Sequence, residues 1–108
     1  MQANKYQEWS EKTAIYPKDE NLTYVALGLA GEAGEVANVV KKMIRDDNGV
    51  LLQEKRDKLV AEMGDVIWYM ARMCAEIGTT LEEVMQQNHD KLEDRLARNV
   101  IKGSGDDR

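Results

Sequence analysis

The chain has no phenylalanine, one proline, one cysteine and one histidine among its 108 residues. Each scarcity excludes something. A lone cysteine, Cys74, rules out a disulfide within the chain and any zinc site built on paired cysteines. Set in an apolar stretch, it reads as a core residue. Positive charge is also in short supply: 15 Lys and Arg stand against 20 Asp and Glu, for a net charge of −5. That argues against a partner such as a nucleic-acid polymer, which wants clustered basic residues. It leaves room for a nucleotide, because acids can recruit a divalent cation that then carries the phosphates. There is no apolar run long enough to span a membrane and no signal-peptide pattern, so a cytoplasmic setting away from membranes is expected.

What is present is helical. Ala, Leu, Met, Glu, Lys and Gln dominate, and strand-like alternation is nearly absent, so the fold class is all-α. At 43% hydrophobic residues the chain can fill one core, although a domain this small is often helped by oligomerisation. The expected architecture is an antiparallel helical bundle of about four helices, assembling into an oligomeric bundle. The domain is assigned to residues 1–98, and the Gly-rich "NVIKGSGDDR" end, residues 99–108, reads as a flexible tail.

The first helix is predicted over about Ala3 to Ile15, stopped at Pro17. The second runs from about Asn21 to Arg45, with Leu22, Val25, Ala26, Leu29, Ala33, Val36, Val40 and Met43 at three- and four-residue spacing. "DDNG", Asp46 to Gly49, is a turn signal. The third helix spans about Leu51 to Ile77, with Gly78 as a C-terminal cap. Thr80 and Glu83 form a capping-box pattern that opens a fourth helix, running to about Arg98.

Two acidic pairs interrupt this apolar patterning. Glu32 and Glu35 lie in "GLAGEAGEV" on the second helix, and Glu62 and Asp65 lie in "EMGDV" on the third. Residues three apart share a helical face, so each pair is a two-carboxylate claw. A short turn makes the two helices an antiparallel hairpin. Each claw lies roughly 17–20 Å from that turn at about 1.5 Å per residue, so the claws face each other at one level. Four converging carboxylates repel unless a cation is placed between them. All-oxygen donors favour Mg²⁺, with Mn²⁺ as a substitute. On the fourth helix, taken as antiparallel to the third, Asn88, Lys91 and Arg95 share a face at about the height of Asp65 and Glu62. They supply an amide and positive charge for phosphate oxygens.

The two motifs, with 26 residues between them, resemble the signature of the MazG-like all-α nucleoside triphosphate pyrophosphohydrolases. "YQEWSEKTAIYP" and "NHDKLEDR" are similar to small single-domain members. The resemblance implies Mg²⁺-dependent hydrolysis of (d)NTPs between the α and β phosphates, giving a nucleoside monophosphate and pyrophosphate. It implies a role in clearing nucleotide pools, and homodimers or homotetramers whose interfaces contribute to the sites. It also implies that Glu32, Glu35, Glu62 and Asp65 are the metal-binding acids.

Within that reading Glu35 is the candidate to take a proton from the attacking water. Lys91 and Arg95 face the phosphates and Asn88 positions them. Lys42 follows the first claw and is a further phosphate candidate. Tyr69, one turn beyond Asp65, and Trp9 are candidates to contact the sugar or base; Trp68 is a further aromatic, and each of the three also makes sense as a packing residue. His89 points to another face. Two rival readings exist. A di-iron carboxylate bundle would want Glu-x-x-His pairs, and neither motif has a His. The alternative is a non-catalytic helical interaction or nucleotide-binding module, against which the presence of all four acids speaks.

Overall fold

A computed structural model describes all 108 residues. It is helical throughout: α1 (Ala3–Ser10), α2 (Asn21–Asp46), α3 (Gln53–Ile77) and α4 (Leu81–Ala97), with short 3₁₀ turns at Glu11–Thr13 and Lys18–Glu20. The all-α expectation holds. No helix is long and apolar enough to cross a membrane.

The helix α1 ends at Ser10 rather than at about Ile15 as expected from Pro17, and hydroxyls explain the difference. Ser10 Oγ donates to the Gln7 carbonyl at 2.7 Å and Thr13 Oγ1 to the Ser10 carbonyl at 3.0 Å. Such bonds three residues back favour the tighter 3₁₀ winding over the α-helix. The buried Arg72 of α3 also donates to Ser10 Oγ at 2.9 Å, which ties this end of α1 to the bundle.

The dominant packing is α2 against α3. Their connection turns on Asn48 and Gly49, both with positive φ (56° and 75°). A 3.3 Å ion pair between Lys55 and Asp47, both largely buried, braces it. Inside α2, Gly28 has a steric cause. A Cβ there would lie 2.1 Å from Tyr69 Cε1, so the tyrosine ring rests directly on the α2 backbone. That contact offsets the intrinsic cost, roughly 1 kcal/mol, of a mid-helix glycine.

Gly78, at φ 78°, ends α3. The Thr79 N–H reaches the Cys74 carbonyl at 2.9 Å and the Gly78 N–H reaches the Ala75 carbonyl at 3.4 Å, the bond pair of a Schellman motif. Thr80 then caps α4 by accepting the Glu83 N–H at 3.1 Å. Only that half of the capping box forms, because the Glu83 carboxylate takes the Thr79 hydroxyl instead.

The course of α4 corrects the expected layout. It meets α1 and α3 over a short stretch only, held at its first turn by Gln7, which bonds Thr79 O and Leu81 N, and by Asn4, which bonds Glu82. It does not run back along α3. Val84, Met85, Leu92 and Leu96 form a stripe that stays exposed, Leu96 at 63%. The chain alone offers them no cover. The whole fold shares this openness: nine residues are buried. Its radius of gyration is 16.9 Å, against about 13 Å for a compact domain of ~100 residues.

Candidate active site

Three of the four acids of the two pairs come together between α2 and α3. Ligand oxygens of Glu32, Glu62 and Asp65 all lie within 4.8 Å of one another. None of the three, nor Glu35, has a Lys or Arg in ion-pair contact. The Glu32 carboxyl is pushed above its usual range, first by desolvation and then by the charges of Asp65, Glu62 and Glu35. An unneutralised cluster of oxygen donors with one acid already biased toward protonation fits a hard divalent cation, and these three residues would hold it. Glu35 stands apart from the trio. It is exposed and lines a neighbouring groove together with Glu62.

Two unlike recesses flank the acids. On one side a cleft of about 610 Å³ is walled by Tyr6, Trp9, Trp68 and Tyr69, with Glu32 and Asp65 at its edge. Trp68 is fixed there. Its indole N–H donates to Thr13 Oγ1 at 2.7 Å, and its ring meets Tyr69 edge-on at a centroid distance of 4.9 Å. Tyr6 and Trp9 stand 5.9 Å apart on the α1 side. Burial, then the Asp65 charge, raises the Tyr6 hydroxyl above its ordinary value. Burial is also the first cause of the upward shift at Tyr69, with Tyr24 next and Glu32 and Asp65 behind. Both tyrosines therefore remain neutral donors beside the acids.

On the other side, a groove of about 370 Å³ runs between α2 and α3 toward their turn, lined by Glu35, Asn38, Lys42, Arg45, Lys58 and Glu62 among others. Lys58 pairs with Glu54 at 3.2 Å and Arg45 with Asp46 at 2.7 Å. Lys42 has no carboxylate in ion-pair contact.

The structure thus brings Glu32, Glu62, Asp65, Tyr69 and Trp9 together, and places Glu35 and Lys42 in the adjoining groove. Asn88, Lys91 and Arg95 are not brought to the acids: no hydrogen bond or ion pair joins them, and Lys91 and Arg95 are instead engaged by the chain's own C-terminal segment. Sequence reasoning missed Tyr6, Thr13 and Lys58. Tyr6 was legible as the residue one turn before Trp9 on the same helical face. Lys58 was legible as the residue one turn before Glu62. Thr13 was not, since its role rests on where α1 stops.

The arrangement is that of a helical hairpin carrying a carboxylate cluster between an aromatic cleft and a groove of mixed charge. Residues 20–99 match the MazG nucleotide pyrophosphohydrolase domain, and the chain belongs to that family. It is 49% identical over the full length of both chains to the "Gene 37 protein" of Mycobacterium phage L5. It is also 35% identical to the "Uncharacterized protein YvdC" of Bacillus subtilis (strain 168), over 63% of this chain and 69% of that one. No solved structure matches.

Proposed function

We propose that this chain hydrolyses nucleoside triphosphates between the α and β phosphates in a Mg²⁺-dependent reaction, releasing pyrophosphate and a nucleoside monophosphate. The carrying observation is the position of the acids. Glu32 and Asp65 border the aromatic cleft while Glu35 and Glu62 border the Lys-bearing groove. A nucleoside stacked in the cleft and a polyphosphate laid along the groove put the α–β bond beside the carboxylates.

The chain's own groups then have distinct tasks. Tyr6, Trp9, Trp68 and Tyr69 hold the base or sugar by stacking and hydroxyl donation. Glu32, Glu62 and Asp65 would hold the cation, Mg²⁺ or Mn²⁺, which supplies Lewis-acid polarisation of the phosphates and lowers the pKa of water. Glu35, exposed and outside the trio, is free to take the proton from that water at its carboxylate oxygen. Lys42 and Lys58 stabilise charge on the departing pyrophosphate.

Oligomerisation completes this reading. The uncovered stripe on α4 and the apolar groove of Ala33, Val36, Met63, Val66 and Ile67 between α2 and α3 are surfaces that a second copy covers in a homodimer or homotetramer. Helix α4 of one copy laid on the hairpin of another brings Asn88, Lys91 and Arg95 to the phosphates in trans. The cellular role is removal of unwanted nucleotides from the cytoplasmic pool.

The test is pyrophosphate release from a panel of canonical and modified NTPs and dNTPs, with Mg²⁺, with EDTA, and with Glu35→Gln. Mg²⁺-dependent monophosphate and pyrophosphate, lost in the variant, is the expected result. No turnover of any nucleotide by folded oligomer would overturn the reading and leave a binding module.

A further inference from the structure

Lys91 and Arg95 are not free on the face where phosphate contacts were expected. The C-terminal segment folds back onto α4 and puts one carboxylate, Asp106, on both cations. Lys91 Nζ lies 3.3 Å from Asp106 Oδ1 and Arg95 Nη2 lies 3.3 Å from the same oxygen. The Arg95 guanidinium also donates to the backbone carbonyl of Asp106 at 2.8 Å and, at 3.4 Å, to that of Gly105. Its side chain is left 5% exposed. The Asp106 carboxyl is held below its usual range by its bonds to Lys91 and Arg95.

The fold-back is built from specific residues. Gly105 takes φ 81° and Asn99 φ 58°, conformations that suit a glycine and an asparagine. A side chain at Gly103 would meet Arg108 Cδ at 2.5 Å. Arg108 pins the loop by donating to the Val100 carbonyl at 3.0 Å and the Ile101 carbonyl at 3.1 Å. The carboxylate itself is 84% exposed, so the pair it forms is weak and open to exchange.

We infer that Lys91 and Arg95 form an oxyanion site for a phosphate group, and that Asp106 is its built-in competitor. The carboxylate sits where a phosphate oxygen would sit. A phosphate brings more negative charge and a third acceptor oxygen to the same two donors, so it displaces the carboxylate. The tail is then a strap that an arriving polyphosphate lifts. This inference deepens the proposed hydrolase reading by assigning a competitor to one of its phosphate contacts.

The experiment is calorimetric titration of inorganic pyrophosphate into the full chain in EDTA, for wild type, Asp106→Asn, Asp107→Asn and Lys91→Ala, with unfolding temperatures recorded for each. Asp106→Asn is expected to tighten binding roughly three- to tenfold. Asp107→Asn makes the same charge change at an exposed neighbour with no polar partner and should change nothing, whereas Lys91→Ala should weaken binding. Equal affinity in wild type and a folded Asp106→Asn, or equal tightening by Asp107→Asn, overturns the inference. Steady-state turnover separates the source of the phosphate. A lower KM in Asp106→Asn assigns the site to the triphosphate substrate, and an unmoved KM with tighter pyrophosphate assigns it to free pyrophosphate. Tightening in a chain that turns over no nucleotide upholds the site and sinks the hydrolase reading.

Discussion

The α2–α3 hairpin and helix α4 were built from the same kinds of residue and ended differently. In the hairpin, two long apolar faces meet across a short turn, and ligand oxygens of three of the four acids, Glu32, Glu62 and Asp65, come within 4.8 Å of one another. Helix α4 also follows a short turn and also carries an apolar stripe, yet it leaves the hairpin after its first turn. The difference lies in what each face finds. The hairpin helices are each other's partner, and Gly28 even lets Tyr69 lie on the α2 backbone. Leu92 and Leu96 of α4 find no partner in their own chain. A short connection makes antiparallel packing available but does not compel it: the α4 stripe and the apolar groove of Ala33, Val36, Met63, Val66 and Ile67 on the hairpin are both left open.

Breaking the hairpin side of this comparison should have the largest effect. Glu62→Gln or Asp65→Asn removes one donor of the trio. Pyrophosphate release should fall by about two to three orders of magnitude. The metal-free unfolding temperature should hold or rise, because a repulsive charge is gone. Coupled enzyme assay and calorimetry check the two halves.

Breaking the α4 side should act on assembly. Leu92→Glu with Leu96→Glu places charge on the exposed stripe. Light scattering should show association weakened on the order of a hundredfold or more. The circular dichroism of the helices should persist.

Gly28→Ala sharpens the contrast within α2, since a methyl group there collides with the Tyr69 ring. Urea unfolding should register about 1–3 kcal/mol of destabilisation, and KM should rise as Tyr69 is pushed into the aromatic cleft. Thr80→Ala removes the cap of α4 and should cost about 1 kcal/mol in the same measurement.

The smallest effect is the pH dependence of the acid cluster. The Glu32 pKa is raised, so below the ordinary carboxylate value its stabilising protonated form is fully present. In metal-free protein, stability should decline as pH rises through the raised value. Divalent-cation affinity should move the opposite way, falling as pH drops into that range because the proton competes for Glu32. Titration of Mn²⁺ at several pH values measures it.

Much of this was legible beforehand. Helices α2, α3 and α4 could be placed to within a few residues from three- and four-residue spacing, from the turn residues at 46–49 and Gly78, and from the Thr80 cap. The facing of the claws followed from simple arithmetic, because a helix rises by a constant amount and a short turn equalises heights. The end of α1 was not legible: whether Ser10 and Thr13 bond back to carbonyls depends on Arg72 and Trp68 arriving from α3. The separation of Glu35 from the trio was equally hidden, since a three-residue spacing says that two acids share a face and not which of them turns inward.

The sequence by itself determined the helices, the hairpin and the level at which the acids meet, because these depend on local periodicity and on one short connection. Tertiary structure alone decided which aromatic rings wall the cleft, which cations line the groove, and that α4 turns away with its basic pair strapped by Asp106. Those outcomes depend on which surfaces find partners in space, and no spacing along the chain encodes that.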